Sequence, residues 1–239
     1  RFREIFYPEP GKTTGKKPMS VMSQAQVPGF EAYVENNMWS FAGATMATVH
    51  VVGSNNDLAP WNQIDPSDSY TTPRADRIAE FEARKTAALA WIDATFDRAI
   101  ASQSAGVMMA MQANPNFELA ASHQERQGFN EVLDKLATRA KAFGKPVLLA
   151  HGDSHYFRLD KPMVLPVKPA GSAQLENLSR VENFGTPSVH WVEVFVDPRD
   201  PRHLYFAMSG GGIHESRDGG DTFTPLVDGM DIVDGFDSG

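Results

Sequence analysis

His151, Asp153 and His155 bring three side chains able to ligate a metal ion within five residues of one another. They follow Gly144-Lys145-Pro146-Val147-Leu148-Leu149-Ala150, a short apolar run opened by a Gly-Lys-Pro turn. Such a run reads as a buried strand that delivers its next residues to the end of a sheet, where α/β proteins keep their chemistry. Gly152 permits a sharp turn between the strand and the last two donors. Were residues 151 to 155 extended, period-two alternation would turn all three donors to one face as a two-histidine, one-carboxylate set. Gly152 and Ser154 favour a turn, which separates them. The plainest reading is that these polar residues only cap strand and loop.

Two more polar turns follow apolar runs in the same way. Ala44 to Gly53 is β-branched and apolar and ends in Gly53-Ser54-Asn55-Asn56-Asp57. Gly106 to Met111 ends in Gln112-Ala113-Asn114-Pro115. Ser54, Asn55 and Asn56 either meet a ligand or make Asx-type turn bonds, and His50 inside the first run reads as a satisfied core histidine.

The elements that must position these turns are legible as periodicities. Thr72 and Pro73 look like a cap and first helical position, opening a helix to about Ser102. Its apolar stripe is Ile78, Phe81, Leu89, Ile92, Phe96 and Ile100, and its Arg and Glu residues form the solvated face. A second helix spans Gly128 to Phe143, stopped by Gly144 in the C′ role. Strand, helix, strand, helix, strand between 44 and 151 implies right-handed crossovers and a largely parallel sheet. Residues 1 to 40 and 58 to 72 read as loop, the former with short strands and a solvated Lys12, Lys16, Lys17 group. Lys161 to Pro169 reads as loop too. Val189 to Val196 and Leu204 to Met208 pair as an antiparallel hairpin around Asp197-Pro198-Arg199-Asp200-Pro201.

Composition narrows the function classes. The 239 residues are 41% hydrophobic and 22% charged, as in ordinary globular domains. With 22 basic against 30 acidic residues the net charge is −8, which argues against a broad nucleic-acid or anionic-membrane surface. A phosphate-bearing substrate would then need local positive charge, most simply a metal. Without cysteine there is no disulfide, thiolate nucleophile or cysteine metal site, and the compartment stays open. Neither an apolar run of about 18 residues nor a signal-peptide h-region is visible in this chain, so a soluble protein is expected.

The succession Gly53-Ser54-Asn55-Asn56, helix with Ala90-Trp91-Ile92, Gln112-Ala113-Asn114-Pro115, helix, Gly152-Asp153-Ser154-His155-Tyr156-Phe157-Arg158 resembles the C-terminal half of a calcineurin-like metallophosphoesterase. The resemblance covers about residues 1 to 196. It implies an α/β fold in which a layered β-sandwich is flanked by helices, with two divalent metal ions (Mn, Fe or Zn) at the carboxyl ends of the strands. A metal-bound hydroxide would attack a small-molecule phosphoester. By position, Asp153 and His155 fill the two ligand slots of the last loop, and Gln112, or Asn114, stands at the middle histidine slot. Two family histidines are thus replaced, one by an amide and one by Asp153. The Asp-x-His, Gly-Asp and Asn-His-Asp-type motifs that precede the Gly53 strand in the family have no counterpart in residues 1 to 52. The expectation is a fragment of a hydrolase or a degenerate, non-catalytic relative.

From Asp197 to Gly239 the pattern changes. Ser216-x-Asp218-x-Gly220-x-Thr222-Phe223 resembles one Asp-box repeat of sialidase and sortilin-type propellers. It implies a structural hairpin, with Asp218 bonding backbone amides and Phe223 packed beneath the turn, followed by a frayed tail. One box cannot build a propeller, which needs about four blades.

Overall fold

A computed structural model of the chain describes residues 1–166, 172–186, 192–197, 199–208, 212–218 and 222–226. The helical elements are α1 (Phe2–Phe6), a single left-handed turn α2 (Gly53–Asn56), α3 (Ala75–Ala101) and α4 (Asn130–Phe143), with 3-10 turns at Gln24–Gln26 and Gln124–Phe129. The strands are β1 (Met22–Ser23), β2 (Asn37–Phe41), β3 (Ala44–Thr48), β4 (Val107–Ala110), β5 (Val147–His151), β6 (Arg158–Asp160), β7 (Val164–Pro166), β8 (Ser172–Gln174) and β9 (Leu178–Glu182). β10 (Val192–Asp197), β11 (Asp200–Met208), β12 (Gly212–Ser216) and β13 (Thr224–Pro225) complete them.

Seven strands make a mixed sheet in the order β1-β2-β3-β4-β5-β9-β6. β3, β4, β5 and β9 are parallel, while β1, β2 and β6 run antiparallel at the margins. The expected parallel core is therefore present, and a strand read from the sequence as nothing in particular, β9, completes it. Its five residues are all buried. Because Arg180 and Glu182 interrupt the apolar pattern, hydrophobic periodicity does not reveal it.

β5 alternates buried and half-buried residues, so Val147, Leu149 and His151 share one face. On that face Ala47, Val107, Met109 and Leu149 meet Ile92 and Phe96 of α3 and Val132, Leu133 and Leu136 of α4 in one cluster. Burying each of these side chains larger than alanine contributes roughly 1.5 to 3 kcal/mol. On the other face Met46, Met108 and Leu148 front Leu204 and Phe206 of the C-terminal sheet across a cavity of about 400 Å³.

Local differences from the sequence reading have physical causes. α3 starts at Ala75 with Arg74 at its N-cap, two residues beyond Thr72. Its Ile100 is exposed, while Arg77, Arg84 and Lys85, assigned above to a solvated face, are buried. Each reaches an acceptor beyond the helical apolar stripe, as a buried charge must. Gly144 does close α4, in the left-handed region at φ 68°. β7 occupies part of the stretch read as a loop and pairs with β8 just beyond it, and α1 occupies part of the N-terminal loop. β10 and β11 form the expected hairpin, which extends to a four-stranded antiparallel sheet, β10-β11-β12-β13. Residues 187–191 and the tail after Leu226 lie outside the described residues. In the last hairpin Asp218 accepts from Thr222 N at 2.9 Å and from Ser216 Oγ at 2.8 Å, and Phe223 packs edge-on against Phe206.

Arg77 identifies an acid-sensitive point. Asp68 accepts from Arg77 Nε at 2.8 Å, Arg74 N at 2.9 Å and Trp61 N at 2.6 Å, closing the loop that leads into α3. The Arg77 guanidinium holds the Asp68 carboxyl down to about 2, against the opposing effect of burial. A depressed folded-state value means stability that is fully present above the ordinary aspartate value near 4 and lost as pH falls through about 2. The urea midpoint of the wild-type chain should therefore drop between pH 4 and pH 2. Its advantage over Asp68→Asn should shrink across the same window, and a constant difference would show that the pair does not couple to folding.

Candidate functional site

The carboxyl ends of β3, β4 and β5 are neighbours, and three loops leave them side by side. Backbone strain collects there. Nine non-glycine residues have positive φ among the described residues, and seven of them (Ser54, Asn55, Asn56, Asp57, Asn116, Asp153 and His155) belong to these loops. Each such residue costs roughly 1 to 2 kcal/mol in the left-handed region. Strain of this kind persists only where the surroundings over-determine it, commonly at functional sites.

The first loop is the most unusual. Ser54, Asn55, Asn56 and Asp57 lie successively at φ 54° to 59°, a left-handed turn. Asn and Asp tolerate this region better than other L-residues. Side chains then fix it: Asn55 Oδ1 accepts from Gly128 N at 2.8 Å, and Asn55 Nδ2 donates to Gln124 O at 2.8 Å. Asn56 Nδ2 donates to Gly128 O at 3.1 Å, and Arg84 donates to both Asn56 Oδ1 and Asn56 O. Asn55 and Asn56 are thus committed to the turn, and only Ser54 remains exposed.

Gln112, in the second loop, joins the other two. Its Oε1 accepts from Gly53 N at 2.7 Å and its Nε2 donates to Asp153 Oδ1 at 3.1 Å. Its backbone carbonyl accepts from Gly152 N at 3.3 Å. The carboxylate lies close over Gly53, where a Cβ would sit 3.1 Å from Asp153 Oδ2. Asn114 points elsewhere, donating to Ser154 Oγ at 2.6 Å. The two amides that the sequence left as alternatives therefore separate, Gln112 to Asp153 and Asn114 to Ser154.

The third loop is not extended. Asp153 (φ 84°) and His155 (φ 65°) both turn it, so His151, Asp153 and His155 do not share one face by alternation. His155 is exposed and packs its ring on Gly185, where a Cβ would fall 2.3 Å from His155 Cδ2. Its Nδ1 lies 3.1 Å from Thr186 O. A carbonyl oxygen only accepts, so Nδ1 carries a proton, and in the neutral ring the lone pair is on Nε2, the tautomer of a metal-ligating histidine. His151 is instead buried within the sheet's helical face, with Nδ1 donating to Gly152 O at 3.1 Å. Burial pushes its imidazole below the ordinary value, against the Gly152 carbonyl and the Glu182 carboxylate, which pull it up. His50 lies elsewhere, 3.4 Å from the Glu35 carboxylate.

Asp153 and His155 present one carboxylate and one imidazole nitrogen on a single loop, a fitting start for a divalent cation. Among the described residues no group of three or more His, Cys, Asp or Glu side chains is set to hold a metal ion. Glu182, which contacts the base of this loop, went unnoticed in the sequence because its strand did. No helix among the described residues is long and apolar enough to cross a membrane. No protein-family model matches the chain, and no curated protein matches it significantly.

Proposed function

We propose that this chain carries the last ligand loop of a metal-dependent phosphoesterase of the calcineurin-like kind, with Asp153 and His155 as two donors to a divalent ion. The observation that carries this reading is the Gln112 bridge. One amide ties the Gly53 turn to the Asp153 carboxylate, while a backbone carbonyl turns His155 so that Nε2 is the nitrogen left to bind. Gln112 acts here by orienting Asp153, its own oxygen being engaged by Gly53. A bound Mn, Fe or Zn ion would neutralise phosphate charge and activate water for attack on a small phosphoester. Further donors would have to come from outside the set described above.

The test is Mn²⁺ binding by calorimetry to the wild-type chain, Asp153→Ala and His155→Ala. Each substitution should weaken binding about tenfold or more, since even residues behind a ligand matter that much. Equal affinity in all three proteins would defeat the assignment. A second reading is a non-catalytic module that keeps the loop as a relic, in keeping with the lack, among the described residues, of a third acidic or imidazole donor beside Asp153 and His155. Hydrolysis of p-nitrophenyl phosphate that disappears with a chelator and returns with Mn²⁺ would exclude that reading.

A further inference from the structure

Glu182 is wholly buried, yet among the described residues neither of its carboxylate oxygens accepts a hydrogen bond, and His151 Nε2 is likewise buried with no partner among them. Buried polar groups are almost always satisfied by protein or by ordered water, so a shared orphan set needs a cause. The sheet register supplies the geometry. Glu182 on β9 is the Cα partner of His151 at the end of β5 on one side and of Arg158 at the start of β6 on the other. Paired residues on adjacent strands point to the same face, so the three side chains form one row. Arg158 Nε lies 3.4 Å from Glu182 Oε2, and Arg158 also stacks 4.6 Å over the Tyr156 ring. His151 and Arg158 are the residues at the two ends of the loop that carries Asp153 and His155.

We propose that Glu182 is the positioning residue of this loop, gripping its far end through Arg158 and its near end through one internal water bridging the carboxylate to His151 Nε2. The chemistry of the bridge is specific. His151 Nδ1 donates to Gly152 O, so Nε2 can only accept, and a carboxylate also only accepts. A water molecule donates two hydrogens and so satisfies both, with its own lone pairs left to a neighbouring donor. Rows behind this one are already filled: Arg180, the next buried charge on β9, donates to Asp160 Oδ1 at 2.7 Å and Glu118 Oε1 at 2.9 Å and covers the Phe117 ring. Glu118 also pairs with Arg158, but Glu182 is the register partner of both roots of the loop.

The metal consequence rests on the function proposed above, but the positioning itself does not. In Glu182→Gln, a near-isosteric change, far-UV circular dichroism should be unchanged. The Gly152 amide, bonded to Gln112 O, and the Asn183 amide, bonded to His151 O, should exchange with deuterium at least about tenfold faster, while β4 amides keep their rates. Mn²⁺ affinity should fall about tenfold without a matching fall in midpoint. Leu178→Ala, on the same strand, should lower the midpoint and leave the relative exchange of Gly152 unchanged. Unaltered exchange at Gly152 and Asn183 in folded Glu182→Gln would overturn the proposal. If that variant does not fold, the same exchange measured in Glu182→Met, which removes the carboxylate and leaves the Arg158 pair with Glu118 in place, decides it by the same criterion. A crystal structure of the wild-type chain should show one ordered water within hydrogen-bonding distance of both groups, and its absence would remove the bridge. Should wild-type protein bind no Mn²⁺, the metal reading falls while the exchange result still decides the role of Glu182.

Discussion

Gly128→Ala is expected to destabilise the chain by about 3 kcal/mol, at the upper end of what overpacking costs, because the added methyl has nowhere to go. A Cβ at this position would lie 2.0 Å from the Asn55 carbonyl oxygen and 2.9 Å from its carbon. These are backbone atoms of a segment already in the left-handed region, so no rotamer change relieves the clash. Moving the segment breaks the Gly128 N bond to Asn55 Oδ1 and the Asn56 Nδ2 bond to Gly128 O together. Chemical denaturation gives the measurement, and a loss under about 1 kcal/mol would mean that the turn yields easily. Because Gly53 begins the same turn and donates to Gln112, the amide resonances of Gly53 and Gln112 should shift in the variant even though Gly128 touches neither.

How far the sequence discloses such contacts depends on the physics behind each. The β3, β4, β5 core and the carboxyl end of α4 follow from local signals: apolar runs of strand length, a helical stripe and Gly144 where a positive φ is required, whereas α4 begins at Asn130 and not at Gly128. The Gly152-Asp153-Ser154-His155 loop is legible as a concentration of donors. Its partners are less so. That Gln112 reaches Asp153 while Asn114 reaches Ser154 depends on where two loops from different strands point, and spacing alone leaves both options open. The Asn55-Asn56 turn is visible as a turn, but its left hand is imposed by Gly128, 72 residues beyond Asn56. Glu182 and Arg180 were hidden for a different reason. Charge in a strand reads as exposure, and only a neighbouring charge placed by the sheet register makes its burial tolerable. Similarly, Arg84 sits at a position that helical periodicity assigns to water.

Arg84→Ala should cost about 3 kcal/mol, a large effect for a residue that periodicity places on a helix surface. Its guanidinium is buried and donates to Asn56 O at 2.8 Å, to Asn56 Oδ1 and to Glu80 Oε1 at 2.8 Å. Asn56 is itself wholly buried, so truncation leaves Asn56 O without a donor and Asn56 Oδ1 with only the 3.4 Å bond from Val52 N. Arg84→Met separates the causes: it retains most of the aliphatic stem, and if the loss is one of hydrogen bonds it should be nearly as damaging as alanine. Recovery of most of the stability in Arg84→Met would assign the effect to packing instead. Arg84 from α3 and Gly128 from the segment before α4 both hold Asn56, and Gly128 holds Asn55 as well. Removing either therefore releases strain that the other was restraining, and the double variant should be less destabilised than the sum of the two by about 1 kcal/mol or more. Strict additivity in that cycle would mean that the left-handed turn is not a single mechanical unit, and that the Gly53 amide is presented to Gln112 by some other constraint.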